Sequence, residues 1–390
     1  MSDVDIIVIG GGIHGAGVAL AAVARGYTVR LLEKSALASG TSSRSSKLIH
    51  GGLRYLESGQ FSLVRECLAE RQTLLRIAPD LVRLKQFLIP VYKQTSRRPW
   101  QIRAGLTLYS LLAGLNKSSR FNRLARSRWD TLDGLNTENL LAVYRYYDAQ
   151  TDDAALTRAV MQTAQKYGAE LCMPAELLAA KLDNHGVSVS YRDHDRNVEC
   201  RAGVLINATG PWVNTVLDRI TPAVRALPVD LVQGTHIVID GQIEQGLYYV
   251  ESPEDKRAVF VMPWQNRILV GTTETLFAGE PGSVHPLDKE IHYLINTVGH
   301  YFPAHRNLDI DRIHTAFAGL RVLPRASSAA FHRPRDTTFL LDRNKKPRLV
   351  NIYGGKLTAY RVTAEKVMDC LRESIPPRQA FEDTARISLT

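Results

Sequence analysis

Three glycines, Gly10, Gly12 and Gly15, stand between a short apolar run at residues 4–9 and an alanine-rich stretch at residues 13–25. The first run is β-branched and almost continuously apolar, which predicts a strand buried on both faces. The alanine and valine positions of the second predict a helix. Another apolar run, residues 28–32, ends at Glu33. The order strand, glycine turn, helix, strand constrains the fold more than any other feature of the chain. Gly10 permits the tight turn, Gly12 lets backbone approach a pyrophosphate, and Gly15 lets the helix pack on the strand. Ile13 and His14 complete the turn, with the His14 side chain expected to point away from the phosphates. The helix start offers free N–H groups and a positive dipole end to an anion. A carboxylate at Glu33 can accept from both ribose hydroxyls and repels a 2′-phosphate, which points to FAD or NAD rather than NADP. Lys34, next to it, is placed in the same cofactor site.

The rest of the composition narrows the class. The 390 residues carry 49 Lys and Arg against 39 Asp and Glu, a formal charge of +10. Such an excess suits an anionic substrate, an anionic membrane surface or a nucleic acid, without choosing among them. The cysteines, Cys67, Cys172, Cys200 and Cys370, are far apart and form no CxxC pair. Reduced cytoplasmic thiols are expected, with neither a metal site nor a disulfide framework. The first residues are acidic and lack the basic region of a signal peptide. The longest apolar candidate, residues 104–115, is too short to span a membrane and contains Thr107, Tyr109 and Ser110.

Nucleotide-type elements recur along the chain. A helix is expected over residues 63–77 and another over 153–167. Strands are expected at 187–191, 198–207, 236–239, 258–262, 268–271 and 349–353, and a closing helix at 356–371. The strands between residues 236 and 271 read as an antiparallel sheet. The pattern predicts one nucleotide domain assembled from residues 1–78, 145–215 and 315–390. A substrate domain is inserted as residues 79–144 and 216–314.

Three more segments turn the dinucleotide into FAD. The first runs from Thr41, Ser42 and Ser43 through Ser46, Lys47, Leu48 and Ile49 to His50, Gly51, Gly52, Leu53, Arg54 and Tyr55. Its small hydroxyl residues and glycines let backbone lie close to a flat cofactor. The second is an apolar strand ending in Asn207-Ala208-Thr209-Gly210-Pro211-Trp212. The third is Gly354-Gly355-Lys356-Leu357-Thr358, a glycine turn read as opening a helix whose N-terminus would stabilise negative charge on a reduced flavin. Together they resemble the FAD-dependent glycerol-3-phosphate dehydrogenases, within the D-amino-acid-oxidase-like flavoproteins. The resemblance covers nearly the whole chain. Gly234-Thr235-His236 and Gly271-Thr272-Thr273-Glu274 match it in place, although the family usually has Asp where this chain has Glu274. Arg44 among the serines is also unusual.

The resemblance implies an α/β fold. A Rossmann-like FAD-binding domain of the glutathione-reductase/D-amino-acid-oxidase type carries an inserted α+β substrate (cap) domain on an antiparallel sheet. The family's C-terminal helical domain is absent from the expected organisation, which leaves open a homodimer and acceptor access. It implies non-covalent FAD and oxidation of glycerol 3-phosphate at C2 to dihydroxyacetone phosphate, with electrons passed to a membrane quinone or another acceptor. Arg54, Tyr55, Arg321, Arg335 and Lys356 are the expected substrate-binding residues. A phosphomonoester dianion needs several cations, and Arg supplies bidentate donors. His236 is a candidate base with a suitable unperturbed pKa. His50 is a second, and Arg321 a third catalytic group that would polarise the hydroxyl.

Residues 93–128 interleave cations with apolar residues. One reading is a surface contact with anionic lipid on the inner face of the cytoplasmic membrane. The other is a solvated basic face over ordinary core. No nucleic-acid motif accompanies the charge. Two rival functions remain: a related flavin oxidoreductase acting on a 2-hydroxy acid or amine, and a flavoprotein that binds without turnover.

Overall fold

The computed structural model describes residues 3–325 and 337–389. Strand Val4–Ile9 lies at the centre of the first sheet, paired in parallel with Val29–Leu32 on one side and Arg196–Asn207 on the other. Glu170–Cys172 extends the parallel set beyond Val29–Leu32. The far half of Arg196–Asn207 pairs in parallel with Leu349–Tyr353, and its near half runs antiparallel to Gly186–Asp193. One long strand therefore joins a nucleotide-type sheet to a β-hairpin. Strands buried on both faces, such as Leu349–Tyr353, read as mostly apolar runs for this reason, with the buried Asn351 as the one exception there.

Helix Ile13–Ala24 packs on this sheet and is buried along almost its whole length. Glycine and alanine at its closest contacts allow that. A Cβ at Gly17 would stand 2.8 Å from the ring of Tyr360, on the last helix, Tyr360–Cys370. A Cβ at Gly15 would collide with the carbonyl oxygen of Gly10, so the third glycine of the turn is a requirement of packing. Helix Asp153–Lys166 flanks it, with Asp152 capping its start by accepting from the Ala155 N–H at 2.9 Å.

The second sheet is mostly antiparallel. Val229–Ile239 is its pivot, pairing with Arg267–Gly271, Thr275–Phe277 and Ile313–Pro324. The sheet continues through Ala258–Trp264 and Leu247–Glu251 to Val82–Tyr92 and Leu140–Thr151. The strands Leu140–Thr151 and Ile313–Pro324 straddle the starts of expected nucleotide-domain segments at residues 145 and 315, yet both run in this second sheet. Helix Asp288–Tyr301 covers one of its faces. Its Glu290 carboxylate accepts from the hydroxyls of Thr235, Thr273 and Thr275 and from the Gln233 amide, at 2.6–2.8 Å.

The closing helix starts later than expected. Gly354 and Gly355 have φ values of +73° and +108°, and residues 356–359 form a turn before Tyr360. Thr358 holds that turn to the serine-rich segment: its hydroxyl accepts from the His50 N–H at 3.1 Å. Among the described residues no helix is long and apolar enough to cross a membrane, and no group of His, Cys, Asp and Glu could hold a metal ion.

Candidate active site

A cavity of about 680 Å³ lies between the two sheets. One end is walled by the glycine turn. Gly10 takes φ +103°, and a Cβ there would meet the Ala208 carbonyl at 2.9 Å. Gly12, Ile13 and His14 follow on the wall. The Ile13 N–H donates to Ser42 Oγ at 2.9 Å, which joins the turn to the serine-rich segment. Glu33 is buried, and its carboxylate accepts from the Gly11 N–H at 2.7 Å and from the N–H and hydroxyl of Ser35. Lys34 stands over the Trp212 ring, 5.7 Å from its centroid. Thr41, Ala208, Thr209 and Gly210 complete this end.

Ser46, Leu48, His50, Gly355, Leu357 and Thr358 line the middle of the cavity. Five residues expected in the cofactor site lie outside its wall. Gly15 is under the turn. The Ser43 carbonyl and Asp153 hold the Lys47 ammonium, each at 2.5 Å, and the ammonium is turned into the protein. Ile49 is core. Gly51 donates its N–H to the Tyr109 hydroxyl at 2.8 Å. The sequence pattern marks such residues because the segment as a whole follows the cavity, but alternate side chains of an extended chain face opposite ways.

Two charged clusters occupy the far end. In the first, the Lys356 ammonium lies 4.4 Å from the Tyr55 ring centroid, with Arg54 beside the same ring at 5.9 Å. The Lys356 Nζ is buried and has no hydrogen-bond partner among the described residues. A buried ammonium without an acceptor is costly, so the geometry calls for an anion. The helix begins only at Tyr360, so the helix N-terminus expected at this spot is not there. In the second cluster, Arg321 donates to Thr272 Oγ1 at 3.2 Å and lies 3.5 Å from Glu274. Glu274 is also 3.7 Å from Arg257, which lines the cavity too. Arg335 falls outside the described residues.

His236 sits beside the second cluster, buried, with its ring stacked on Phe317 at 5.0 Å. Its Nε2 and Ser46 Oγ are 2.9 Å apart. Burial, then the positive charges of Arg321 and Lys47, push its pKa down to about 3. The ordinary imidazole value expected for a base is thus corrected: this ring is neutral throughout the physiological range. Burial likewise pushes His14 down to about 4, against Gly355.

Sequence reasoning missed several wall residues. Arg257, in the run Asp255-Lys256-Arg257, reads as solvated charge and carries no positional signal. Asp148 lines the cavity, accepting from Arg71 at 2.5 Å and from the Tyr109 hydroxyl at 2.7 Å. A signal for that pair existed. Arg71 lies four residues after Cys67 and three before Leu74, on the apolar face of helix Phe61–Ile77, so its charge needs a buried partner.

A dinucleotide fits these walls: a turn that brings backbone close, a carboxylate beside it, and an unpaired buried ammonium farther along. Comparison with known proteins agrees. Residues 5–361 match the model of a family described as FAD dependent oxidoreductase. The chain is 37% identical over 399 residues to the aerobic glycerol-3-phosphate dehydrogenase of Escherichia coli, covering 98% of this chain and 78% of that protein. It is 36% identical over 378 residues to the D-erythritol 1-phosphate dehydrogenase of Brucella abortus, covering 95% and 74%. The glycerol-3-phosphate dehydrogenase of Bacillus halodurans, solved in complex with FAD, superposes with a TM-score of 0.75 at 27% identity, over 100% of this chain and 68% of that one.

Proposed function

This chain belongs to the family of FAD-dependent oxidoreductases, and from that premise we propose that it oxidises sn-glycerol 3-phosphate at C2 to dihydroxyacetone phosphate. The observation that carries the reading is the buried, unpartnered Lys356 ammonium beside Arg54 and Tyr55. A phosphate dianion answers that cluster better than the single carboxylate of a 2-hydroxy acid or amino acid. The names of the relatives support the same substrate.

Bound FAD supplies the hydride acceptor. The chain's residues do the rest. The glycine turn and Glu33 hold the nucleotide end without a covalent link. Arg54, Tyr55 and Lys356 anchor the phosphate. Arg321, fixed by Thr272 and Glu274, polarises the C2 hydroxyl. Neutral His236 accepts the hydroxyl proton as the hydride leaves; a base with so low a pKa is effective only while the C2–H bond is breaking. His50 is the alternative imidazole. The nucleotide-binding body is built on the first sheet, and the substrate domain on the second, which also takes in the strands Leu140–Thr151 and Ile313–Pro324.

Electrons then pass to a membrane quinone. Helix Pro99–Leu112 supports a lipid contact: Trp100 is 70% exposed, and Leu111 and Leu115 are 54% and 62% exposed. Arg98, Arg103, Arg120, Arg126 and Arg128 are exposed around them. Apolar side chains ringed by cations suit an anionic bilayer surface. Turnover with an artificial dye tests the assignment: glycerol 3-phosphate is expected to reduce it, and glycerol and lactate are not. Equal rates with lactate would contradict the phosphate site.

A further inference from the structure

Three elements meet behind the turn that carries Arg54 and Tyr55. Helix Phe61–Ile77 supplies Arg71, strand Leu140–Thr151 supplies Asp148, and helix Pro99–Leu112 supplies Tyr109. All three side chains are buried. They form one directed chain of hydrogen bonds. Arg71 donates to Asp148 at 2.5 Å and to the Tyr147 carbonyl at 2.8 Å. The Tyr109 hydroxyl donates to the other Asp148 oxygen at 2.7 Å and accepts from the Gly51 N–H at 2.8 Å. A hydroxyl has one hydrogen, so giving it to Asp148 turns the lone pairs toward Gly51. Burial, then Asp148, push the Tyr109 hydroxyl well above its ordinary pKa, and it keeps that hydrogen. Gly51 is fitted to the contact: a Cβ there would stand 2.5 Å from the hydroxyl oxygen. The next residues form the short turn Leu53–Leu56, closed by the Tyr55 N–H donating to the Gly52 carbonyl at 2.8 Å. On the other side of Gly51, the His50 N–H is tied to Thr358, two residues after Lys356. A buried ion pair adds little net stability over apolar packing, so what Arg71 and Asp148 contribute lies in what they orient.

We propose that Tyr109 is a positioning residue for the phosphate end of the site: backed by Asp148 and Arg71, its hydroxyl fixes Gly51 and so the turn that presents Arg54 and Tyr55 to Lys356. The inference rests on the phosphate-site reading above and deepens it. Arg54, Tyr55 and Lys356 line the cavity, and Tyr109 stands behind its wall. Tyr109 therefore acts on the substrate through the Gly51 backbone. Loosening the turn misplaces Arg54 and Tyr55 relative to Lys356, which weakens the hold on the phosphate and leaves the reacting end of the site in place. The effect falls on KM rather than on kcat. A role in stability alone would lower the melting temperature without touching KM.

The test measures KM and kcat for glycerol 3-phosphate, and the Kd of inorganic phosphate by calorimetry, in the FAD-loaded enzyme. Tyr109→Phe is expected to raise KM and the phosphate Kd about three- to tenfold, the size of one neutral hydrogen bond, with kcat changed by less than about twofold. Tyr92→Phe is the control. It removes the hydrogen bond of another buried phenol, to the Asn136 carbonyl, and should lower the melting temperature without moving KM. In an Arg54→Ala background Tyr109→Phe should have little further effect on phosphate binding, because both changes act through the same turn. Asp148→Asn tests the sign. Taking an acid from the wall of a pocket for a dianion would by itself tighten phosphate binding, whereas loss of the acceptor that orients Tyr109 weakens it. Weaker binding is the expected result. An unchanged KM and phosphate Kd in Tyr109→Phe that retains FAD overturns the inference. So does an equal loss in the Arg54→Ala background, or tighter phosphate binding in Asp148→Asn. If the wild type neither oxidises glycerol 3-phosphate nor binds phosphate, the functional reading fails and this inference falls with it.

Discussion

In the proposed reaction two side chains can be tested at the scale of single residues. Lys356 has no acceptor among the described residues. Its replacement in Lys356→Met is expected to raise the KM for glycerol 3-phosphate by about 10- to 100-fold, the effect of losing one charge-assisted hydrogen bond. Flavin absorbance should be retained; an unchanged KM would remove Lys356 from the phosphate site. His236 is held neutral by burial and by two neighbouring cations, with its pKa pushed down to about 3. A lowered imidazole pKa means the basic form is present at any pH above that value. The kcat/KM profile is therefore expected to show no inflection near about pH 6.5 that His236→Gln abolishes. An inflection lost in that variant would show an unperturbed base. The glycine turn and Glu33 were legible in sequence, because each obeys a spacing that backbone geometry dictates, whereas Lys356 was singled out through the resemblance. The His236 pKa was not, since it depends on Arg321 and Lys47, which are distant in the chain.

Elements show a different boundary between what sequence reveals and what it hides. Strands such as Val4–Ile9 and Leu349–Tyr353 announce themselves by short, mostly apolar runs, each interrupted by one polar residue. The start of helix Tyr360–Cys370 does not, because the Thr358 hydroxyl in the turn at residues 356–359 is held by the backbone N–H of His50, 308 positions away. Glu290 is another such tie. Burial alone would raise its carboxyl pKa, but the hydroxyls of Thr235, Thr273 and Thr275 and the Gln233 amide outweigh it and hold it below the ordinary value. An acid lowered in the folded state stabilises above its unfolded pKa and loses that contribution as pH falls through the folded one. Glu290→Gln is expected to lower stability by about 3 kcal/mol near neutrality. In chemical denaturation the gap from wild type should shrink in acid; a gap that is constant with pH would contradict this account. Arg71 and Asp148 form a buried pair, 0% and 2% exposed in their side chains. Removing one partner, as in Arg71→Met, should cost about 3–5 kcal/mol by leaving the other charge buried and unpaired. A loss below about 1 kcal/mol would show that water reaches Asp148.

At the scale of the molecule, two sheets of different character enclose one cavity, and each is built from distant stretches of chain. Recurring nucleotide-type elements made that discontinuity legible. The membership of Leu140–Thr151 and Ile313–Pro324 in the second sheet was not, because strand pairing over long separations leaves no local mark. The basic, apolar surface around helix Pro99–Leu112 also belongs to this scale. Sedimentation with anionic liposomes at low salt is expected, weakening as salt screens the arginines. Failure to sediment at low salt would remove the lipid contact.

The central claim is that the cavity joins bound FAD to a phosphorylated alcohol. Anaerobic titration of the flavin-loaded protein with glycerol 3-phosphate measures that directly. The account predicts that the oxidised flavin absorbance bleaches and dihydroxyacetone phosphate appears in step with it. Unbleached flavin in the presence of excess glycerol 3-phosphate, or bleaching only by a 2-hydroxy acid or an amine, would contradict it.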